Sequence, residues 1–211
     1  MILVIGGVKG GTGKTTLATN LAVMRAEAGK KVLLVDADEQ RSASEWANQR
    51  ASFLRMHDFP TICLSGSNVY IQIIKMKPDY DDIIVDTGGR DTKSQRSALS
   101  IADVSLFPFK PRSIDIWTIG TVNEMIDEAR TFNDQMRCFA VINQADPVGK
   151  DNETALSILQ ECQDITCIPV FIVNRKAFPN AASDGMAVTE LTSSDSKAAA
   201  DMTSLYNAIY N

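Results

Sequence analysis

Eight residues, Lys9-Gly10-Gly11-Thr12-Gly13-Lys14-Thr15-Thr16, constrain this chain more than any other stretch. An apolar run, Ile2-Leu3-Val4-Ile5, leads into them, and a helical pattern from Thr16 to Ala28 leads out. Strand, glycine loop, helix is the context that gives such a motif physical meaning. The glycines let the loop curl so that successive backbone N–H groups face inward and cradle phosphate oxygens. The following helix brings its positive dipole end to the same place. Lys14 is then expected to reach the β- and γ-phosphates of ATP, and the Thr15 hydroxyl to sit on Mg²⁺. Gly10, Gly11, Thr12, Gly13 and Thr16 complete the expected cradle. The strict phosphate-loop pattern has a glycine five residues before Gly13; Val8 stands there instead, followed by a second lysine, Lys9.

That departure resembles the deviant Walker A motif, KGGxGKT, of the ParA/MinD family of ATPases. The resemblance implies that Lys9 crosses to the nucleotide of a partner subunit, so that a homodimer sandwiches two ATP molecules. The logic is that of a cation placed where phosphoryl charge develops. In an ordinary phosphate loop Lys9 would be a solvated surface lysine.

With 211 residues, 45% of them apolar, the chain is expected to form one α/β domain over 1–211 with a full core. It holds no apolar run of about 18 residues or more, so no membrane span is expected. The first strand starts at the N-terminus, which argues against a cleaved signal peptide and for a cytoplasmic location. A net charge of −5 gives no long-range attraction for nucleic acid, so any DNA contact needs a local basic patch. Cys63, Cys138, Cys162 and Cys167 show no CxxC spacing, and His57 is the sole histidine. Buried free thiols are the expectation, and a zinc site has little support.

Apolar runs alternate with helical patterns along the chain. Strands are expected at Val32–Val35, Thr61–Leu64, Tyr80–Asp86, Val104–Phe107, Arg137–Ile142 and Val170–Val173. Helices are expected over Ser42–Phe53 (carrying Trp46 as a packing residue), from a Ser67 cap to Lys75, and over Gln95–Ala102. Others are expected from a Ser113 cap to Phe132, over Asn152–Cys162, and over Asp195–Ile209. Pro108 and Pro111 should break the chain between the Val104 strand and the Ser113 helix. This rhythm predicts a doubly wound, mostly parallel sheet flanked by helices, the phosphate-loop NTPase fold, with all strand-end loops along one edge.

Several polar residues fall at those strand ends. Asp86 ends an apolar strand about 70 residues after the loop, the Walker B position, where a carboxylate holds Mg²⁺ through water. Gly88-Gly89 would let a switch loop approach the γ-phosphate. Asp36 and Asp38, two apart in extended chain, share a face and can aim at one metal–phosphate centre. Their run resembles the family's DxDPQ switch I segment, with Glu39 in place of proline. By that match Asp38 orients the attacking water and Asp36 lies near Mg²⁺. Asn143 ends another strand where the family often contacts the adenine edge, for which an amide offers donor and acceptor. Phe109-Lys110-Pro111-Arg112-Ser113-Ile114-Asp115 resembles a loop near the nucleotide and dimer interface.

The resemblance covers most of the chain and points to the short, plasmid-type ParA partition ATPases, which lack an N-terminal helix-turn-helix. It implies a slow ATPase stimulated by a ParB-like adaptor, whose ATP-bound dimer binds nucleoid DNA without sequence preference. Arg175 and Lys176, with Lys197, are the candidate DNA contacts. An alternative keeps the switch but gives it a protein cargo. A MinD-type membrane-positioning role would need a basic amphipathic C-terminal helix, and Met202–Asn211 holds no basic residue. An iron–sulfur role lacks suitably placed cysteines, and a ligase resembling dethiobiotin synthetase would not be expected to carry Lys9.

Overall fold

The apolar runs assemble into one parallel sheet. A computed structural model describes residues 1–52, 58–90, 92–111, 118–191 and 196–211. The strands are β1 (Ile2–Ile5), β2 (Val32–Ala37), β3 (Thr61–Cys63), β4 (Asp82–Thr87), β5 (Val104–Phe109), β6 (Arg137–Ala145) and β7 (Thr166–Val173). Their order is β3-β2-β4-β1-β5-β6-β7, and every pair is parallel. The helices described are α1 (Lys14–Glu27), α2 (Ser42–Ala51), α3 (Asn68–Met76), α4 (Lys93–Leu99), α5 (Ile119–Arg130), α6 (Asp151–Gln160), α7 (Ala177–Ser183) and α8 (Ser196–Tyr210).

Alternation along the strands sorts side chains between the two faces. Ile2, Val4, Leu33, Val35, Ile83 and Val85 join a core with α3 to α6, while Leu3, Ile5, Leu34, Ile84 and Leu106 join one with α1, α2, α7 and α8. Both faces are covered, which is why these strands read as continuous apolar runs. In α8, Ala198, Met202, Leu205 and Ile209 form a buried stripe against the second core. The apolar face of the last helix therefore belongs to the fold.

Several boundaries differ from the sequence expectation. Helix α1 begins at Lys14, two residues early, because Gly13 takes the N-cap position with φ 89°. Ser67 stands at the start of α3 but makes no capping hydrogen bond; Thr92 caps α4, accepting from the Gln95 N–H at 3.2 Å. Strand β5 runs through Pro108 instead of stopping before it. The reason is geometric: β1 pairing ends at Ile5 opposite Leu106, so the missing N–H of Pro108 points where no strand needs it. Cys63 is exposed, against the expectation of buried thiols, and all four cysteines are free. Phe53, His57, Arg112, the Ser113 cap, Ile114, Asp115 and Asp195 lie outside the described residues.

Candidate nucleotide-binding site

The site lies where β1, β4 and β2 end side by side. In register, Asp86 of β4 stands opposite both Ile5 of β1 and Asp36 of β2. The loop after β1 therefore curls directly over two carboxylates. Helix α1 starts beneath it with no side-chain cap and no acidic residue in its first turn. Its unsatisfied N–H groups and dipole end leave an electropositive spot suited to an anion. A cleft of about 740 Å³ opens there, lined by Gly10, Gly11, Gly13, Lys14, Thr15 and Thr16 on one side. Asp38, Glu39, Gly88, Gly89, Arg90 and Gln144 contribute other parts of its wall.

Lys14 is buried, and its Nζ donates to the Lys9 carbonyl at 3.0 Å. The Thr15 hydroxyl donates to Asp86 Oδ2 at 2.7 Å. Asp86 is fully buried, and its other oxygen, Oδ1, has no hydrogen-bond partner among the described residues. Burial, opposed by the Thr15 hydrogen bond and by Lys14 and reinforced by the Asp36 and Asp38 charges, pushes the Asp86 carboxyl up to about 7. Burial likewise lowers Lys14, against the pull of Asp86 and Asp38. A metal ion at the carboxylate and phosphate oxygens at the ammonium would oppose both shifts. The orphaned Oδ1 beside the Thr15 hydroxyl fits Mg²⁺. No cluster of three or more His, Cys, Asp or Glu able to hold a metal alone occurs among the described residues. Mg²⁺ asks for no such cage, since it keeps waters and shares substrate phosphates.

Two expected roles meet different geometry. Asp36 is buried, but Oδ2 accepts from both the N–H and the hydroxyl of Ser44, each at 2.8 Å, and Oδ1 accepts from the Asp38 N–H at 3.2 Å. Its carboxylate ties the end of β2 to α2 instead of presenting a free oxygen to a metal. Asp38 reaches the cleft itself, and its Oδ1 accepts from the Gln40 N–H at 3.1 Å. Asn143 was expected at the adenine edge. Its Nδ2 instead donates to the Thr12 carbonyl at 2.6 Å, with the side chain buried. A Cβ at Gly13 would fall 2.2 Å from that nitrogen, so the glycine is what admits the amide.

Three contributors carried no sequence signal. Gln144 donates through Nε2 to the Gly11 carbonyl at 2.8 Å. With Asn143 it holds two loop carbonyls, which favours N–H groups turned toward the cleft. Gln95 on α4 accepts the Gly7 N–H at 3.0 Å and lies 2.6 Å from the Thr87 hydroxyl, joining the loop base to the end of β4. Arg41 starts α2 with φ 55°, and Gln144 has φ 53°; they are the non-glycine residues of positive φ among those described. Both lie beside the cleft, where strained backbone tends to gather.

A neighbouring pocket of about 260 Å³ shares Gly13, Thr16 and Gln144 and adds Asn143, Asn174 and Arg175. Arg175 is only partly exposed and pairs with Asp201 through Nε at 3.3 Å, so it joins this pocket instead of a free basic patch. Lys176 and Lys197 are exposed.

The family described as the CobQ/CobB/MinD/ParA nucleotide binding domain matches residues 3–188. The chain belongs to this family. The maintenance of carboxysome distribution protein A of Halothiobacillus neapolitanus is 26% identical over 209 residues, covering 98% of this chain and 95% of that protein. The protein ParA of Rhizobium radiobacter is 30% identical over 142 residues, covering 67% of this chain and 63% of its own. Among solved structures, the ATP complex of an Asp-to-Ala variant of Cyanothece McdA matches with a TM-score of 0.80 and 17% identity. That match covers 99% of this chain and 95% of the other, and it shows a shared fold.

Proposed function

We propose that this chain is a ParA-like ATPase that positions a large protein cargo, cycling between an ATP-bound homodimer and a released monomer. The observation that carries this reading over DNA partition is coverage. The likeness to a carboxysome-distribution protein runs from end to end, whereas the likeness to ParA spans two thirds of this chain. Partition of plasmid or chromosomal DNA, the first expectation from the sequence, becomes the second reading.

In this reading the Gly10–Thr16 backbone and Lys14 hold the phosphates, and Asn143 and Gln144 keep the loop in shape for them. Thr15 and Asp86 would hold Mg²⁺, which when bound supplies positive charge against the phosphate oxygens. Asp38 orients water, and Lys9 acts across the dimer. Asp36 positions the Asp38 segment through Ser44. An adaptor protein stimulates hydrolysis. The ATP dimer binds nucleoid DNA non-specifically as its track, with Lys176 and Lys197 as candidate contacts.

The deciding experiment removes the chain from its cell. Protein assemblies that bunch while plasmid and chromosome inheritance stays normal support positioning. Lost DNA inheritance with evenly spaced assemblies replaces it by partition. The track is tested by fluorescence anisotropy of a random-sequence duplex with Mg²⁺ and either ATP or ADP, across a salt series. Salt-sensitive binding with ATP alone is expected. Two substitutions separate the catalytic roles. Lys14→Ala should abolish nucleotide binding, measured by calorimetry. Asp38→Ala should keep ATP-dependent dimers and stop turnover, and normal phosphate release would remove it from the mechanism.

A further inference from the structure

We propose that Arg90 is a γ-phosphate ligand of its own cleft, through which the loop after β4 distinguishes a nucleoside triphosphate from a diphosphate. This rests on the nucleotide-switch reading above and adds a residue to it.

The first observation is an uncommitted guanidinium. Arg25, Arg50, Arg96, Arg130 and Arg175 each hold a carboxylate. Arg90 is exposed and, among the described residues, has neither ion pair nor hydrogen bond, although Asp38 and Glu39 line the same cleft. A side chain with five donors, sharing a cleft with two acids and engaging neither, is free to meet another anion.

The second observation is how its position is fixed. Two residues flanking Arg90 in sequence, Thr87 and Thr92, are anchored, and both reach Gln95. The Thr87 hydroxyl lies 2.6 Å from Gln95 Oε1, and the Thr92 hydroxyl accepts the Gln95 N–H at 3.2 Å. Gln95 in turn holds the Gly7 N–H of the phosphate loop. Between the anchors, Gly89 lies against the backbone of Lys9 and Gly10 so closely that a Cβ there would fall 2.5 Å from Gly10 Cα. Arg90 is the next residue. It lines the cleft with Gly10, Lys14 and Thr15, the residues read here as the phosphate cradle and metal holder.

A planar fork suits phosphate oxygens bidentately, and such charge-assisted bonds are the strong ones. A diphosphate has no γ-oxygens to offer. The loop would therefore gain a contact only with the triphosphate, which is the differential affinity a switch requires.

The test is equilibrium binding of fluorescently labelled ATPγS and ADP, each with Mg²⁺, to the wild-type chain, Arg90→Ala, Arg90→Lys and Lys14→Ala. Arg90→Ala should weaken the triphosphate by about tenfold or more and leave ADP within about twofold. Retained ADP binding also shows that the variant is folded. Arg90→Lys should recover part of the loss, since charge without the fork is a poorer match. Equal loss of both nucleotides, or loss of neither, overturns the proposal. A wild-type chain that binds neither nucleotide overturns the nucleotide reading itself. Binding that Lys14→Ala abolishes and Arg90→Ala leaves intact overturns only the role of Arg90.

Discussion

Asp86 stands under opposing demands: burial favours its neutral form, while the Thr15 hydroxyl donates to its ionised form. Its carboxyl titrates near 7, whereas an unfolded aspartate titrates at about 3.9. The folded chain thus holds this proton more tightly than the unfolded one. The stability it confers is complete below about pH 4 and is lost as pH rises through about 7. Without Mg²⁺, the denaturation midpoint should fall as pH rises from about 4 to about 7 and level off above that, and Asp86→Asn should remove most of that fall. A slope that persists in the Asn variant would belong to other groups. At Asn143 the expectation concerns affinity. Asn143→Ala leaves the Thr12 carbonyl buried without its amide, which costs about 1–3 kcal/mol. ATP and ADP binding should both weaken by about tenfold, because the loop and not the base loses its support. An effect that follows the base when ATP and GTP are compared would return Asn143 to base recognition. Sequence placed Asn143 near the end of a strand on the edge that carries the phosphate loop, and that much was legible, although β6 runs on to Ala145. Its partner was not, since the bond spans 131 residues of chain.

At the scale of elements, helix α2 and the turn of 3₁₀ helix at Val188–Glu190 are joined by Arg50, which is 1% exposed. Its two terminal nitrogens grip Glu190 at 2.8 and 2.9 Å, and one also donates to the Gly185 carbonyl at 3.0 Å. The ring faces of Trp46 and Phe59 lie 5.5 and 5.7 Å away. The Val188 N–H donates to Asn20 on α1 at 2.8 Å, so the same turn bridges the helices that follow β1 and β2. Glu190→Ala strands the buried guanidinium and should destabilise the fold by about 3–5 kcal/mol in denaturant titrations. A loss below about 1 kcal/mol would mean that water reaches Arg50. Strand and helix existence was legible from periodicity, because both sheet faces are covered and the runs are continuous. Boundaries such as Pro108 in β5 were not, since they depend on where the neighbouring strand stops.

For the whole molecule, the edge that gathers Lys9, Asp38, Asp86 and Asn143 was predicted by the parallel topology alone. The surface that chooses a cargo was not legible, because partner recognition follows no fixed spacing. Lys9→Ala should still bind ATP, but turnover should fall at least about tenfold if the lysine acts across a dimer. Sedimentation with ATP, alongside phosphate release, checks this, and unchanged turnover would make Lys9 a surface lysine. Strain adds a final constraint. Arg41 keeps a left-handed backbone, φ 55°, that glycine would adopt without steric penalty. The fold therefore sits below the stability its own topology allows, by about 1 kcal/mol at this position. Arg41→Gly should raise the melting temperature and at the same time loosen the register between Asp38 and α2. A chain selected only for robustness would have made that exchange; this one keeps a strained but stiffer link between Asp38 and α2.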